Sequence, residues 1–503
     1  MATIVSTITE RIANRIDAAA AASFVIPFVV YAVTVCPTVA ILDSAELTTA
    51  AVTLGLTRAT GYPLYILLGF LWSRIPVGNF ALRMNLFSAL TGALTIFLVY
   101  LILRRLNVPK WAAGIALGLL ASSPFFWGLS LVAEVYTLHT VLMAITILLM
   151  LHWAEAPTPW RTFSLFLLVG LSLCNHMSSL LTLPGLGLYL LFKKPRRILQ
   201  PRHLIPALLG VCLGLLPYLY LPIRYSARPA FNYAGIFSEE GLYYPVDLHR
   251  LEGIWWVASG KVFSTRVGDN WHILDQTLLI FLRALWRSFF GLAIGPGIYG
   301  CYLMVKKHRW EAVFLLLTFF VNVLFFTTYR VIDLETMFLP AYLVFAIWVA
   351  FGLRGLNRQL GEAVPKPLFQ LGGRPMTASS LLKLGFSGFV IFVVAWNWPL
   401  VSQAENWEGR DKAQAIFAQL DENAIVYGKW TTIPVLTYYQ IVEGQRPDVL
   451  LVNRFLISPD NMLSWIGRET ARGVRPLYID YLTPELLTNH EFEEADPLYR
   501  VRN

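Results

Sequence analysis

Blocks of apolar residues, most about twenty positions long, recur along this chain up to about residue 400 and predict membrane-spanning helices. They fall at roughly 24–41, 83–103, 111–130, 134–153, 162–180, 181–192, 204–223, 289–305, 311–328, 337–353 and 380–400, about eleven in all. Ten-residue segments of alternating polarity are absent, which argues against an outer-membrane barrel. Between the first two blocks lie shorter apolar stretches, 47–56 and 62–75, too short to span and expected as membrane-parallel helices. Ahead of them, Ile4, Ile8, Ile12 and Ile16 repeat every fourth position with Arg11 and Arg15 nearby. This pattern predicts a cytoplasmic amphipathic N-terminus over 1–23. A cleaved signal peptide is the alternative, weakened by the lack of a small-residue cleavage site. After residue 400 the pattern changes. Short apolar strands at 424–427 and 449–452 flank a helix-like stretch, 433–443, and acidic residues become frequent, predicting a small α/β domain over 401–503.

The expected fold is thus a polytopic α-helical membrane protein with a small C-terminal α/β domain. Composition agrees: of 503 residues, 56% are hydrophobic and only 14% charged. The net charge of +9 suggests nucleic acid until the basic residues are located. Arg104, Arg105 and Lys110 fall in one loop between blocks, Lys193, Lys194, Arg196 and Arg197 in another, and Lys306, Lys307 and Arg309 in a third. Arg354, Arg358, Lys366, Arg374 and Lys383 fall in a fourth. All lie on the side of the N-terminus, which the positive-inside rule makes cytoplasmic. A nucleic-acid partner is not expected. The expected site is a multi-pass plasma (inner) membrane, with residues 24–400 as the transmembrane domain. External loops over 42–82 and 224–288 and an extracytoplasmic tail follow from the same count. Trp255, Trp256 and Trp271 in the second loop suit a membrane interface. Cys36, Cys174, Cys212 and Cys301 lie in apolar blocks without ligand spacing and read as small buried hydrophobes.

Candidate chemistry gathers on the external side. Asp43 and Glu46 stand three residues apart where the first block ends. Each would cost about 2.5–3.5 kcal/mol at a bilayer centre, so they belong at the membrane edge or in a wet cavity. On a helix they share one face, as a general base and the neighbour that tunes it. The same spacing also fits an N-terminal capping box. Glu134 and Tyr136, with His139 one turn on, and the Asn175-His176 pair end blocks on the same side. External cations run against the topology rule. Arg58, Arg83, Arg224, Arg228, Lys261 and Arg330 are candidates to hold a phosphate, or else pair with headgroups and local acids. Asp333 and Glu335 are candidate partners for Arg330. Metal ligation has no His/Cys cluster behind it; Asp43, Glu46 and Glu134 could hold Mg²⁺ or Mn²⁺ through oxygen, so a divalent metal stays open.

Several blocks together carry a family resemblance. They are Cys36-Pro37-Thr38 with Asp43-Ser44-Ala45-Glu46, Gly61-Tyr62-Pro63-Leu64-Tyr65, Arg83-Met84-Asn85-Leu86-Phe87-Ser88, Ser123-Pro124-Phe125-Phe126-Trp127, Ala133-Glu134-Val135-Tyr136, Tyr220-Leu221-Pro222-Ile223-Arg224, Phe338-Leu339-Pro340 and Glu443-Gly444-Gln445-Arg446-Pro447-Asp448. With them the chain, over about 30–450, resembles the GT-C superfamily of membrane glycosyltransferases. Within it, the chain looks most like the branch of the animal transmembrane O-mannosyltransferase and its bacterial relatives. The resemblance implies a GT-C core and a polyprenyl-phosphate sugar donor, of mannose or a similar hexose. It implies inversion at the anomeric carbon, with Asp43 as base and Glu46 and Glu134 shaping the site. The acceptor would be a protein hydroxyl, with a glycan or lipid acceptor, or a non-enzymatic lipid-sugar carrier, as alternatives. Two departures stand out: Ala45 replaces the family's Gly, and Arg58-Ala59-Thr60-Gly61 replaces His-Pro-Pro-Gly. Arg58 is then a candidate substitute phosphate contact.

Overall fold

The computed structural model describes residues 17–237, 243–457 and 459–502. The amphipathic helix expected over 1–16 lies outside the described residues. The first described helix, Ala18–Thr34, is capped by Asp17, whose Oδ1 accepts from the Ala20 N–H at 2.9 Å.

Among the described residues, six helices have the length and apolar composition of a membrane span: Phe80–Arg105, Val135–Glu155, Pro201–Ser226, Arg309–Thr328, Leu334–Ala363 and Ala378–Val401. The segments Leu251–Phe289 and Ile294–Lys307 are together long and apolar enough to span, but the chain bends by 98° at the break between them. The remaining apolar blocks form shorter pieces. The 111–130 block divides into Lys110–Ala121 and Pro124–Leu129, because Pro124 disfavours helix at the preceding residue and starts a new one. The 162–192 region divides where Asn175 and His176 turn the chain into a 3₁₀ stretch, Met177–Thr182, before Leu183–Lys193.

These helices form a polytopic membrane bundle. Leu334–Ala363 is its centre, with 94% of its most apolar stretch buried, whereas that of Ala378–Val401 is only 11% buried. Outward apolar residues such as Leu208 and Ile391 are surface for lipid, which helices tolerate because their backbone groups are satisfied internally. Cys36 and Cys174 are buried as expected, but Cys212 is exposed on one of these outward faces and Cys301 is half-buried; none is bonded to another. Trp255 and Trp271 are exposed.

Close helix pairs depend on glycine, as in other membrane bundles. Gly300 and Gly352 meet across the Ile294–Lys307 and Leu339–Ala363 helices, and a Cβ on either would collide with backbone of the other helix, at Trp348 and Pro296. Gly170, Gly210 and Gly214 play the same part between Pro159–Asn175 and Pro201–Gly214.

Two eleven-residue helices, Asp43–Thr53 and Pro63–Ser73, follow the first helix over the stretches expected to be short. The C-terminal region holds a five-stranded sheet in the order Leu450–Asn453, Ile425–Gly428, Leu477–Ile479, Leu498–Arg502, Glu491–Ala495. The first three strands are parallel and the last two antiparallel. Helix Ile433–Ile441 packs against Asp43–Thr53, and one apolar cluster combines Val39, Ala45 and Ala81 with Ile416, Val426, Leu436 and Tyr438. The sheet region is therefore seated on the segment that carries the acidic pair.

A valine at Gly352 must push two helix backbones apart. Gly352→Val is expected to cost about 1–3 kcal/mol or more, seen as a lowered thermal-melt midpoint in detergent, whereas Gly388→Val, on the Ala378–Val401 helix with nothing within 4 Å of a Cβ, should be far milder.

Candidate active site

The Asp43–Thr53 helix starts abruptly. Leu42 takes a positive φ of 66°, and Asp43 and Glu46 fall in the first turn. Neither carboxylate caps the helix: no side-chain cap bond is present, so the capping-box alternative does not hold. The chain after the helix folds back instead. Leu54 closes it in a left-handed conformation. The 55–57 segment then pairs with 231–233, Leu56 N–H donating to the Phe231 carbonyl at 2.9 Å and Tyr233 N–H to the Leu56 carbonyl at 2.7 Å. Gly55 is pressed so closely on Phe231 that a Cβ there would meet its carbonyl oxygen at 2.8 Å. Gly61, at φ +80°, turns the chain away again.

This fold-back delivers Arg58 onto both acids. Its Nη2 donates to Asp43 Oδ2 at 2.6 Å and its Nη1 to Glu46 Oε2 at 2.8 Å. Its backbone N–H donates to Glu46 Oε1 at 2.9 Å. Asp43 Oδ1 accepts from the indole Nε1–H of Trp430 at 2.8 Å, across 387 positions of sequence. The Trp430 ring covers the guanidinium at 4.2 Å, and Phe455 and Tyr233 pack on that indole. Glu46 is 1% exposed and Asp43 29%, so only Asp43 offers its carboxylate to a ligand.

Burial dominates the electrostatics. It raises the Glu46 carboxyl to about 7, against the pull of Arg58. Glu134 sits just ahead of the Val135–Glu155 helix, its N–H donating to Ser88 Oγ at 3.2 Å while its Oε2 is buried without a hydrogen-bond partner among the described residues. Burial, together with Asp43 and Asp333, pushes its carboxyl well above the usual range. Asp333 is also raised by burial. The site thus places a relatively open carboxylate beside acids that favour the protonated state.

Asn85 ties the two acidic segments together. Its Nδ2 donates to the Cys36 and Thr38 carbonyls at 2.8 and 2.9 Å, and its Oδ1 accepts from the Ala133 N–H at 2.8 Å. Next to them, the His176 ring lies between Tyr62 at 5.8 Å and Tyr136 at 5.4 Å, and its Nδ1 is 2.7 Å from Ser178 Oγ. Asn175 Nδ2 donates to the Val135 carbonyl at 3.2 Å, joining the helix that follows Glu134. The structure therefore brings Asp43, Glu46, Arg58, Glu134, Tyr136 and His176 into one region.

Three of the other sequence-derived cations, Arg83, Arg224 and Arg330, are engaged elsewhere, whereas Arg228 and Lys261 are exposed. Arg83 donates to the carbonyls of Ser73, Val77 and Gly78, pinning the turn before its own helix. Arg224 donates to the Leu54 carbonyl at 2.7 Å and caps the Asp43–Thr53 helix. Arg330 pairs with Asp269 at 3.0 Å, not with Asp333 or Glu335; Asp333 accepts from Thr336 Oγ1 at 2.9 Å. Arg58 has both terminal nitrogens on carboxylates. Sequence reasoning passed over Arg266, which pairs with no carboxylate among the described residues. It lies 4.9 Å over Phe263 and 5.5 Å over Phe455, the ring that packs on Trp430. Trp430 and Phe455 were missed as well; no local pattern marks two aromatics whose partners lie nearly four hundred residues away. Asn85 was within a quoted block but given no role.

A divalent cation does not fit between Asp43, Glu46 and Glu134. The Arg58 guanidinium already fills the space between the first two, and no group of three or more acids, histidines or cysteines with metal-holding geometry occurs among the described residues.

The architecture has known counterparts. Cupriavidus metallidurans ArnT, solved bound to undecaprenyl phosphate, superposes with a TM-score of 0.57 over 96% of this chain and 97% of that one, at 13% identity. The Archaeoglobus fulgidus oligosaccharyltransferase AglB, in complex with an inhibitory peptide and a dolichol-phosphate, superposes with a TM-score of 0.51, covering 92% and 69% at 13% identity. The protein is a polytopic membrane protein of the GT-C fold. Within that class it is similar to the protein O-mannosyl-transferases TMEM260. The family model for their N-terminal domain matches residues 43–199, beginning at Asp43. The mouse protein is 26% identical over 451 residues, 85% of this chain and 61% of its own length. The Dictyostelium discoideum protein is 20% identical over 476 residues, 86% and 56%. The chain thus spans about six-tenths of the length of these curated relatives.

Because the folded Glu46 keeps its proton up to about pH 7 and an unfolded one only to about 4.5, its effect on stability diminishes as pH rises between those values. Removing Arg58 deepens that loss by leaving a buried charge unpaired. Arg58→Ala is expected to cost about 3–5 kcal/mol at pH 8 and distinctly less at pH 5, read from thermal-melt midpoints of mutant and wild type at both values.

Proposed function

We propose that this protein is an inverting glycosyltransferase that moves a monosaccharide from a polyprenyl-phosphate donor to an acceptor hydroxyl on the extracytoplasmic face. The observation that carries the reading is Asp43: a relatively exposed carboxylate held in a fixed orientation by Arg58 and Trp430, beside the buried acids Glu46 and Glu134. The similarity to O-mannosyl-transferases supports mannose as the sugar and a protein serine or threonine as the acceptor. The undecaprenyl and dolichol phosphates bound by the two structural neighbours support a lipid-phosphate donor. The basic loops support the cytoplasmic N-terminus and plasma-membrane placement, with residues 24–400 as the membrane domain and 401–503 as the extracytoplasmic domain.

In this mechanism the acceptor oxygen attacks the anomeric carbon from the face opposite the phosphate. The new carbon–oxygen bond forms as the bond from carbon to phosphate oxygen breaks, which inverts the configuration. Asp43 takes the hydroxyl proton. The lipid phosphate leaves as an anion without needing a proton, and Arg266, in no ion pair among the described residues and stacked on Phe455 beside Trp430, is the cation assigned to receive it, since Arg58, Arg83, Arg224 and Arg330 are engaged. Glu46 anchors Arg58, and Glu134, kept neutral by burial, is suited to donate a hydrogen bond to the sugar or the acceptor.

General-base help is worth about 10²–10⁴-fold. Asp43→Asn should lose transfer by that factor while still binding the donor, tested with radiolabelled polyprenyl-phosphate mannose and protein acceptors in lipid nanodiscs. Transfer at the wild-type rate by Asp43→Asn would rule out the assigned base, and saturable donor binding without any transfer by the wild type would favour a carrier.

A further inference from the structure

Trp430 lies outside the matched N-terminal region 43–199, on the loop between strand Ile425–Gly428 and helix Ile433–Ile441, yet it touches both charged groups of the site. Its Nε1–H lies 2.8 Å from Asp43 Oδ1, and its ring lies 4.2 Å from the Arg58 guanidinium. The two contacts differ in kind. The hydrogen bond fixes Oδ1, the carboxylate oxygen that Arg58 does not hold; the ring shields the guanidinium from water. The loop itself is held: Thr432 N–H donates to the Lys429 carbonyl at 3.0 Å, Lys429 N–H to Asp480 Oδ2 at 2.9 Å, and the next helix packs on Asp43–Thr53. An indole on a flexible tip would not constrain Asp43; this one does.

We infer that Trp430 is a positioning residue for Asp43, so that the C-terminal sheet region supplies part of the working site and does not merely cover it. The inference rests on the reading of Asp43 as the base. The indole N–H stabilises the charged carboxylate and leaves the second lone pair of Oδ1 for the acceptor hydroxyl. Other ionisable groups act on Asp43 besides Arg58 and Glu46: Glu134, Asp333, Tyr62, Tyr136 and His176 all interact with it electrostatically, and none of them donates a hydrogen bond to it. Loss of the indole donor therefore changes Asp43 without altering their contacts.

Trp430→Phe keeps a ring over Arg58 and removes the donor. In the full-length protein in nanodiscs, with polyprenyl-phosphate mannose as donor, it should lower kcat roughly 10- to 100-fold with the donor KM little changed. The acid limb of its rate profile should differ from that of the wild type, because Asp43 Oδ1 has lost a hydrogen-bond donor. Trp430→Ala, which also uncovers Arg58, should be worse. A kcat and acid limb equal to wild type in Trp430→Phe overturn the inference. Asp43→Asn, run alongside, separates the two levels: if it is dead and Trp430→Phe is normal, only the inference about Trp430 falls; if it is fully active, both fall. The contact has its own readout, independent of activity, in the indole N–H resonance of ¹⁵N-tryptophan-labelled protein, assigned by its disappearance in Trp430→Phe. That signal should shift in Asp43→Ala, and a signal that stays in place contradicts the contact.

Discussion

The site depends on one guanidinium. Asp43 and Glu46 share the first turn of a short helix, where the helix dipole favours negative charge but two neighbouring carboxylates repel. Glu46 is almost fully buried, a placement that costs several kcal/mol unless a cation answers it. Arg58 answers both acids at once, and it can do so only because the chain reverses after Leu54 and pairs beside 231–233. The loop, the short helix and the 231–233 segment are thus held by the same charge balance. This also gives a physical meaning to the departure from the His-Pro-Pro-Gly pattern: in this chain the position is a counter-ion, with its terminal nitrogens already committed.

Around that centre the protein uses connections that are long in sequence and short in space. Asn85 links the segment before Asp43 to the segment before Glu134 through three hydrogen bonds. Thr38 meets Tyr439, and Thr34 accepts from the Gln403 backbone, so the first helix and the C-terminal region register against each other. The apolar cluster that joins Ala45 to Leu436 and Tyr438 sets the acid-bearing helix against the sheet region. A rigid scaffold of this kind is what an acid–base site needs if its carboxylate is to stay aligned through a reaction.

Much of the fold could be read from the sequence because lipid imposes a simple pattern: apolar blocks become helices, and the break after residue 400 marks the mixed sheet. The helix at 433–443 and the strands flanking it appear within a residue or two. The short and broken helices were less legible, since an apolar block such as 111–130 looks continuous until Ser123-Pro124 divides it. Within the site, Asp43, Glu46, Glu134, Tyr136 and His176 stood out because polar groups at the ends of apolar blocks are costly. The cations misled. A lone arginine between apolar blocks looks the same in sequence whether it meets a phosphate or caps a helix, as Arg224 does, or gathers carbonyls, as Arg83 does. Trp430, Phe455 and Arg266 carry no local signature, because their importance comes from a packing between regions that only the fold brings together.

The most direct test of this account is a cryo-EM structure of the protein with an uncleaved polyprenyl-phosphate mannose analogue bound. The account predicts the phosphate against Arg266 and the anomeric carbon facing Asp43 on the side away from the phosphate, with room for one hydroxyl between them, about 3–3.5 Å from the carbon. A phosphate bound instead on the cytoplasmic side, or a sugar separated from Asp43 by another part of the bundle, would contradict it.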